Sequence, residues 1–87
     1  MQSKIKAMIE QTFPNSSRVK SAKYIKKSKK LYINFVRGEQ YVYTDVPEGL
    51  VKRFMETATN GESPGVFFDK NIRSKYNYAA VEGTNLA

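Results

Sequence analysis

The 87-residue chain contains no cysteine and no histidine. The first absence excludes a disulfide framework and any thiolate-held metal. The second removes the commonest general base and the commonest metal ligand together. A nucleophile would then need serine with lysine, or paired carboxylates. Asp45, Glu48, Glu62 and Asp69 do not have the spacing of a metal-binding loop. Gly61 to Gly65 is not followed by the Lys-Ser/Thr of a phosphate loop. No catalytic residue, metal or cofactor is therefore expected, and the chain reads as a binding module rather than an enzyme. No run of eighteen apolar residues is present, so no membrane partner is expected. The opening MQSKIKAMIEQTF has two lysines but neither an apolar h-region nor a small-residue cleavage site, so the expected compartment is the cytoplasm.

Eighty-seven residues make one domain with a thin core. Self-association would add buried area, and a homo-oligomer, as a dimer, is expected. The net charge of +7 is unevenly spread. Residues 1–44 hold ten Lys and Arg against two Glu, which gives +8, whereas residues 45–87 hold five against six, which gives −1. A basic half beside a near-neutral half points to a polyanion-facing surface, or simply to a lysine-rich solvated one.

Along the chain, Ser3 suits the cap of a helix over residues 4–13, with Ile5, Met8, Ile9 and Phe13 forming one stripe of period 3.6 until Pro14-Asn15 stops it. Residues 18–26 read as a strand. Lys26 to Lys30 form a turn, and Leu31, Ile33 and Phe35 alternate with polar or outward residues as a second strand. Arg37-Gly38-Glu39 is a turn with glycine suited to positive φ, and Tyr41 to Tyr43 make a third strand. Asp45 and Pro47 suit the start of a helix whose apolar face is Leu50, Val51, Phe54, Met55 and Ala58, closed by Asn60-Gly61. Ser63-Pro64-Gly65 reads as a loop, residues 66–74 as a short helical turn, and Tyr76 to Tyr78 as extended. The expected fold is α+β: a three-stranded antiparallel β-meander packed by one main helix, with an added N-terminal helix and a short C-terminal helical turn. The expected divisions are an N-terminal amphipathic helix over 1–15, a domain over 16–80 and a flexible tail over 81–87.

The succession Ser16-Ser17-Arg18-Val19, Tyr24, Leu31-x-Ile33-x-Phe35, Gly38, Tyr41-x-Tyr43, Val46-Pro47, Gly65-x-Phe67-Phe68 and Asn71-Ile72-Arg73-x-Lys75-Tyr76 resembles the KTSC domain. That module takes its name from the C-terminus of some bacterial lysyl-tRNA synthetases, and it also occurs alone in short bacterial and phage proteins. The resemblance spans about residues 16 to 78 and implies the fold. Residues 60 to 64 look longer than the expected Ser-Gly turn, and the turn between the first two strands is unusually rich in lysine.

Two sets of residues are candidates for binding. Arg73 can fork a phosphate or carboxylate, Lys75 adds a point charge, and Asn71 can read a base edge or ribose; Tyr41, Tyr43, Tyr76 and Phe68 supply aromatic faces. Lys20, Lys23, Lys26, Lys27, Lys29, Lys30 and Arg37 form a basic patch. Each has a structural alternative. Arg73 can brace the C-terminal segment through carbonyls or Asp69, tyrosines can be half-buried cross-strand neighbours, and the lysine turn can be a solvated hairpin tip. The leading expectation is a phosphate-bearing ligand, either nucleic acid or nucleotide, for a phage-encoded accessory protein. The alternatives are a phage-type effector that binds and inhibits a host protein, and an oligomer that sequesters a nucleotide immune signal.

Overall fold

A computed structural model describes residues 8–81. Five strands, β1 (Met8–Thr12), β2 (Val19–Ile25), β3 (Lys30–Phe35), β4 (Gln40–Tyr43) and β5 (Tyr78–Ala80), form one antiparallel sheet in the order β1-β2-β3-β4-β5. Helix α1 (Glu48–Glu56), helix α2 (Pro64–Phe68) and a π-helical segment (Asp69–Arg73) fill the connection between β4 and β5.

Two parts of the expected architecture are corrected. The sheet has five strands rather than three, and the N-terminal segment is its edge strand rather than an added helix. The expected helix began at residue 4, and residues 4–7 lie outside the described residues. The physical reason is a shared period. Ile9 and Phe13 are four apart, which puts them on one face of a helix and equally on one face of a strand. Pairing with β2 selects the strand, and Ile9 then lies opposite Tyr24. Ile9 and Phe13 turn toward the core, while Met8 falls on the other face and is 43 % exposed. The stripe that suggested pairing between subunits is thus split between two faces, and that ground for a dimer disappears. At the other end, Tyr78–Ala80 pairs with β4 through Tyr43↔Tyr78 and Tyr41↔Ala80. The Val81 amide continues that ladder to the Gln40 carbonyl at 2.9 Å, which ties the first residue of the expected tail to the sheet; residues 82–87 lie outside the described residues.

Register sets the two faces of the sheet. One row runs Ile9, Tyr24, Leu31, Tyr43 and Tyr78; the next runs Gln11, Ala22, Ile33, Tyr41 and Ala80. With Phe13, Val19 and Phe35 these rows supply the face that the helices cover. The open face carries Met8, Ile25 and Lys30, then Glu10, Lys23, Tyr32 and Val42. Across it, the Asn34 amide donates to Ser21 Oγ at 3.0 Å and Gln40 donates to Asn34 Oδ1 at 2.7 Å.

The β2–β3 turn is closed by Lys29 in the left-handed region at φ 57°, and the β3–β4 turn by Gly38 at φ 108°. Val51, Phe54 and Met55 of α1 are buried, as their helical spacing indicated, and the Phe54 ring lies 5.2 Å from that of Phe13. The Tyr24 hydroxyl crosses the core to donate to the Val46 carbonyl at 2.6 Å, tying the sheet to the segment that enters α1. Asp45 does not cap that helix. It adopts φ 59°, and Pro47 occupies the cap position without a side-chain bond. Ser63-Pro64 starts α2, with Ser63 Oγ accepting from the Val66 amide and proline in the first turn, where its missing N–H costs nothing.

Candidate functional site

The β1–β2 loop, the β3–β4 turn and the π-helical segment converge at one end of the helix-covered face. There they enclose a groove of about 470 Å³ whose lining includes Phe35, Tyr41, Tyr43, Phe68 and the arginines Arg18, Arg37 and Arg73. The sequence produces the aromatic floor by alternation: Phe35 ends β3, Tyr41 and Tyr43 are two apart on β4, and all three share a face. Phe68 descends from α2 onto Phe35 and Tyr43 at ring separations of 5.5 Å and near-perpendicular angles. Tyr78, delivered by β5, stacks on Tyr41 at 5.5 Å with 4° between planes and on Tyr43 at 5.4 Å. Tyr78 is 57 % exposed, so its outer surface is free for a further ring.

Asp69 organises the rim. Arg18 donates to it through both terminal nitrogens, Nη1 to Oδ2 at 2.7 Å and Nη2 to Oδ1 at 3.0 Å. Arg73, one helical turn on, reaches Oδ1 from 3.5 Å. The hydrogen bond from Arg18 holds the Asp69 carboxyl below its usual range, with the nearby charges of Arg18 and Arg73 adding to it against partial burial. The same bond raises Arg18. Two arginines around one carboxylate leave a local charge of +1, and Arg37 and Glu39, which also line the groove, cancel in formal charge. Burial pushes the Tyr43 hydroxyl up to about 12, and Tyr78, Tyr41 and Asp69 reinforce the effect against Arg73. It stays protonated at neutral pH and is therefore not a base there. A π-helical turn is rare and is often found at functional sites; here it carries Asp69, Asn71 and Arg73.

Of the residues singled out from sequence, Tyr41, Tyr43, Phe68 and Arg73 come together in this groove, and Arg37 of the basic patch joins them. Tyr43 is buried at 2 % exposure and serves as floor. Asn71 turns away, its amide donating to the Phe67 carbonyl at 3.1 Å beside a different surface hollow. Tyr76 packs against the core, and the Lys75 amide bonds the Ile72 carbonyl at the end of the π segment. The lysines disperse. Lys26 pairs with Glu48 at 3.5 Å, and Lys27, Lys29 and Lys30 cluster exposed at or beside the β2–β3 turn, at the end of the sheet away from Arg37. Lys23 lies on the open face between Glu10 and Tyr32, and Lys20 sits at the irregularity in β2. Arg18, Phe35 and Tyr78 were not anticipated at the site. Parity with Ile33 flags Phe35; nothing local flags Arg18, whose partner is 51 residues away.

The family model of the KTSC domain matches residues 15–76. Seven chains of solved structures match, among them the crystal structure of a KTSC domain protein from Yersinia pestis. It is 33 % identical, the alignment covers 86 % of this chain and 99 % of that chain, and the TM-score is 0.74. No curated protein matches. The matched span contains every lining residue of the groove, whereas β1 and Tyr78 lie outside it.

Proposed function

This chain belongs to the KTSC domain family, and from that premise we propose that its aromatic and arginine-lined groove binds a phosphate-bearing ligand, a nucleic acid strand or a nucleotide, in the cytoplasm and without converting it. The observation that carries this reading is the convergence of four aromatic rings and three arginines on one hollow. Rings offer faces on which a base stacks whatever its identity. Arginine forks match phosphate oxygens. Arg73 is the mobile partner of the pair on Asp69: its contact is the longer one and its side chain is 65 % exposed, so it can turn to a phosphate while Arg18 keeps Asp69 satisfied. Tyr41 and Tyr78 then present ring faces to a base, over the buried floor of Tyr43.

The test is fluorescence anisotropy with labelled single-stranded RNA and DNA, and calorimetry with nucleotides, at about 50 mM salt where a few phosphate contacts are still felt. Binding is expected to weaken as salt rises. Arg73→Ala should flatten the slope of log K against log salt by roughly 0.7, the share of one phosphate contact on a single strand. Tyr41→Ala should cost about 1–3 kcal/mol, the value of one stacked base. Absence of binding to every probe at that salt refutes the proposal.

A further inference from the structure

A second groove lies beside the first. It has a volume of about 550 Å³ and runs between the β1–β2 loop and the α1–α2 connection, lined by small polar residues including Asn15, Ser16, Thr59 and Ser63. Arg18 and Ser17 line both hollows and form the ridge between them. Apart from Arg18, the charged lining of the second groove is Glu62. The two hollows thus differ in kind: one aromatic and cationic, the other polar with hydroxyl and amide groups, with a guanidinium at their junction.

That guanidinium is held in place from two sides. Asp69 engages one N–H on each terminal nitrogen, which leaves three of its five N–H groups uncommitted. Its chain lies across Gly65, where a Cβ would come within 3.3 Å of Arg18 Cδ and 3.4 Å of Nη1. A methyl group at position 65 would press on that chain and require it to give by a few tenths of an ångström. Together Arg18, Asp69 and Arg73 carry a net charge of +1, which complements the single negative charge of a phosphodiester. Each groove alone has the volume of one small-ligand site.

Resting on the reading of the aromatic groove as a nucleotide site, we infer that the two hollows are one site for two consecutive nucleotides. The base of one stacks on the Tyr41 side, the phosphodiester sits on the Arg18 ridge, and the neighbouring nucleoside lies in the polar groove, where its hydroxyl and base-edge groups meet Asn, Ser and Thr side chains. The ligand class is therefore a strand, of which the shortest complete unit is a dinucleotide.

The experiment compares adenosine 5′-monophosphate with the dinucleoside monophosphate ApA by calorimetry on the full chain at about 50 mM salt. The monophosphate carries the larger charge, so simple Coulomb attraction favours it, whereas the inference expects ApA to bind roughly tenfold tighter, or about 1.4 kcal/mol. Thr59→Trp fills the polar groove only and should bring ApA to the level of the mononucleotide while leaving the mononucleotide unchanged. Asn15→Trp, which also leaves the charge unchanged, is a second variant with the same expectation should the first fail to fold. Equal affinity for the two ligands, or an ApA advantage that survives both variants, overturns the two-nucleotide site and leaves the aromatic groove standing. Failure of both ligands and of longer strands to bind overturns both readings.

Discussion

Replacing Tyr24 by phenylalanine removes one atom from the middle of the molecule. Tyr24 is 1 % exposed, and its hydroxyl donates at 2.6 Å to the carbonyl of fully buried Val46. The ring stays, so no cavity term enters. What is lost is one short hydrogen bond, and what is left behind is a buried carbonyl without that donor. Such an orphaned partner costs about 1–3 kcal/mol, against a total stability of roughly 5–15 kcal/mol for a domain. At about 1.5 kcal/mol the melting temperature of a chain this size falls by roughly 6–12 °C. Urea titration followed by far-ultraviolet circular dichroism should show the midpoint lowered and the slope unchanged, since the area exposed on unfolding is the same. A loss below about 0.5 kcal/mol would refute the reasoning, because it would mean that water reaches the Val46 carbonyl and that Tyr24 does not tie the sheet to α1.

Three further outcomes are expected. Tyr43 titrates near 12 in the folded protein against about 10 when unfolded, so its contribution is intact below pH 10 and is lost as pH rises from about 10 to about 12. The gap corresponds to roughly 2–3 kcal/mol, and urea midpoints between pH 8 and 12 should fall less steeply in Tyr43→Phe than in the wild type. Neighbouring substitutions test the edge strand: Ile9→Glu should cost at least about 2 kcal/mol by forcing a charge against the core, while Met8→Glu on the open face stays within about 0.5 kcal/mol; equal effects in denaturant melts would speak for a helix stripe. Gly65→Ala should press on the Arg18 side chain and loosen its bond to Asp69, so carboxyl NMR titration should find the Asp69 pKa moved up toward its ordinary value; an unchanged pKa means that Arg18 gives way without loosening that bond.

The parts of the fold that sequence made legible are those whose signals are local. Alternation through Leu31, Ile33 and Phe35, the glycine at 38 and the apolar face of α1 each follow from one short stretch of chain. The edge strands do not. β1 has an apolar spacing that suits helix and strand alike, and β5 is three residues whose identity as a strand comes from pairing with β4. Ser63-Pro64-Gly65 looked like a loop because serine and proline serve turns as well as helix starts. The same division runs through the site. Arg73, Tyr41, Tyr43 and Phe68, singled out by residue type and spacing, line the same groove. Arg18 was not, since its orientation depends on Asp69, and Tyr78 becomes part of the aromatic wall only when β5 docks beside Tyr41. The lysine turn is the most basic stretch of sequence, whereas the aromatic rings converge with arginines at the opposite end of the sheet.

The most direct test of the central claim is to titrate isotope-labelled protein with a short single-stranded oligonucleotide and follow amide and side-chain NMR shifts. Binding through the groove should perturb Arg18, Phe35, Tyr41, Phe68, Arg73 and Tyr78 together, with the guanidinium signals of Arg18 and Arg73 moving in step with the aromatic ones. Perturbation confined to Lys27, Lys29 and Lys30 at the far turn, with the groove residues still, would contradict it.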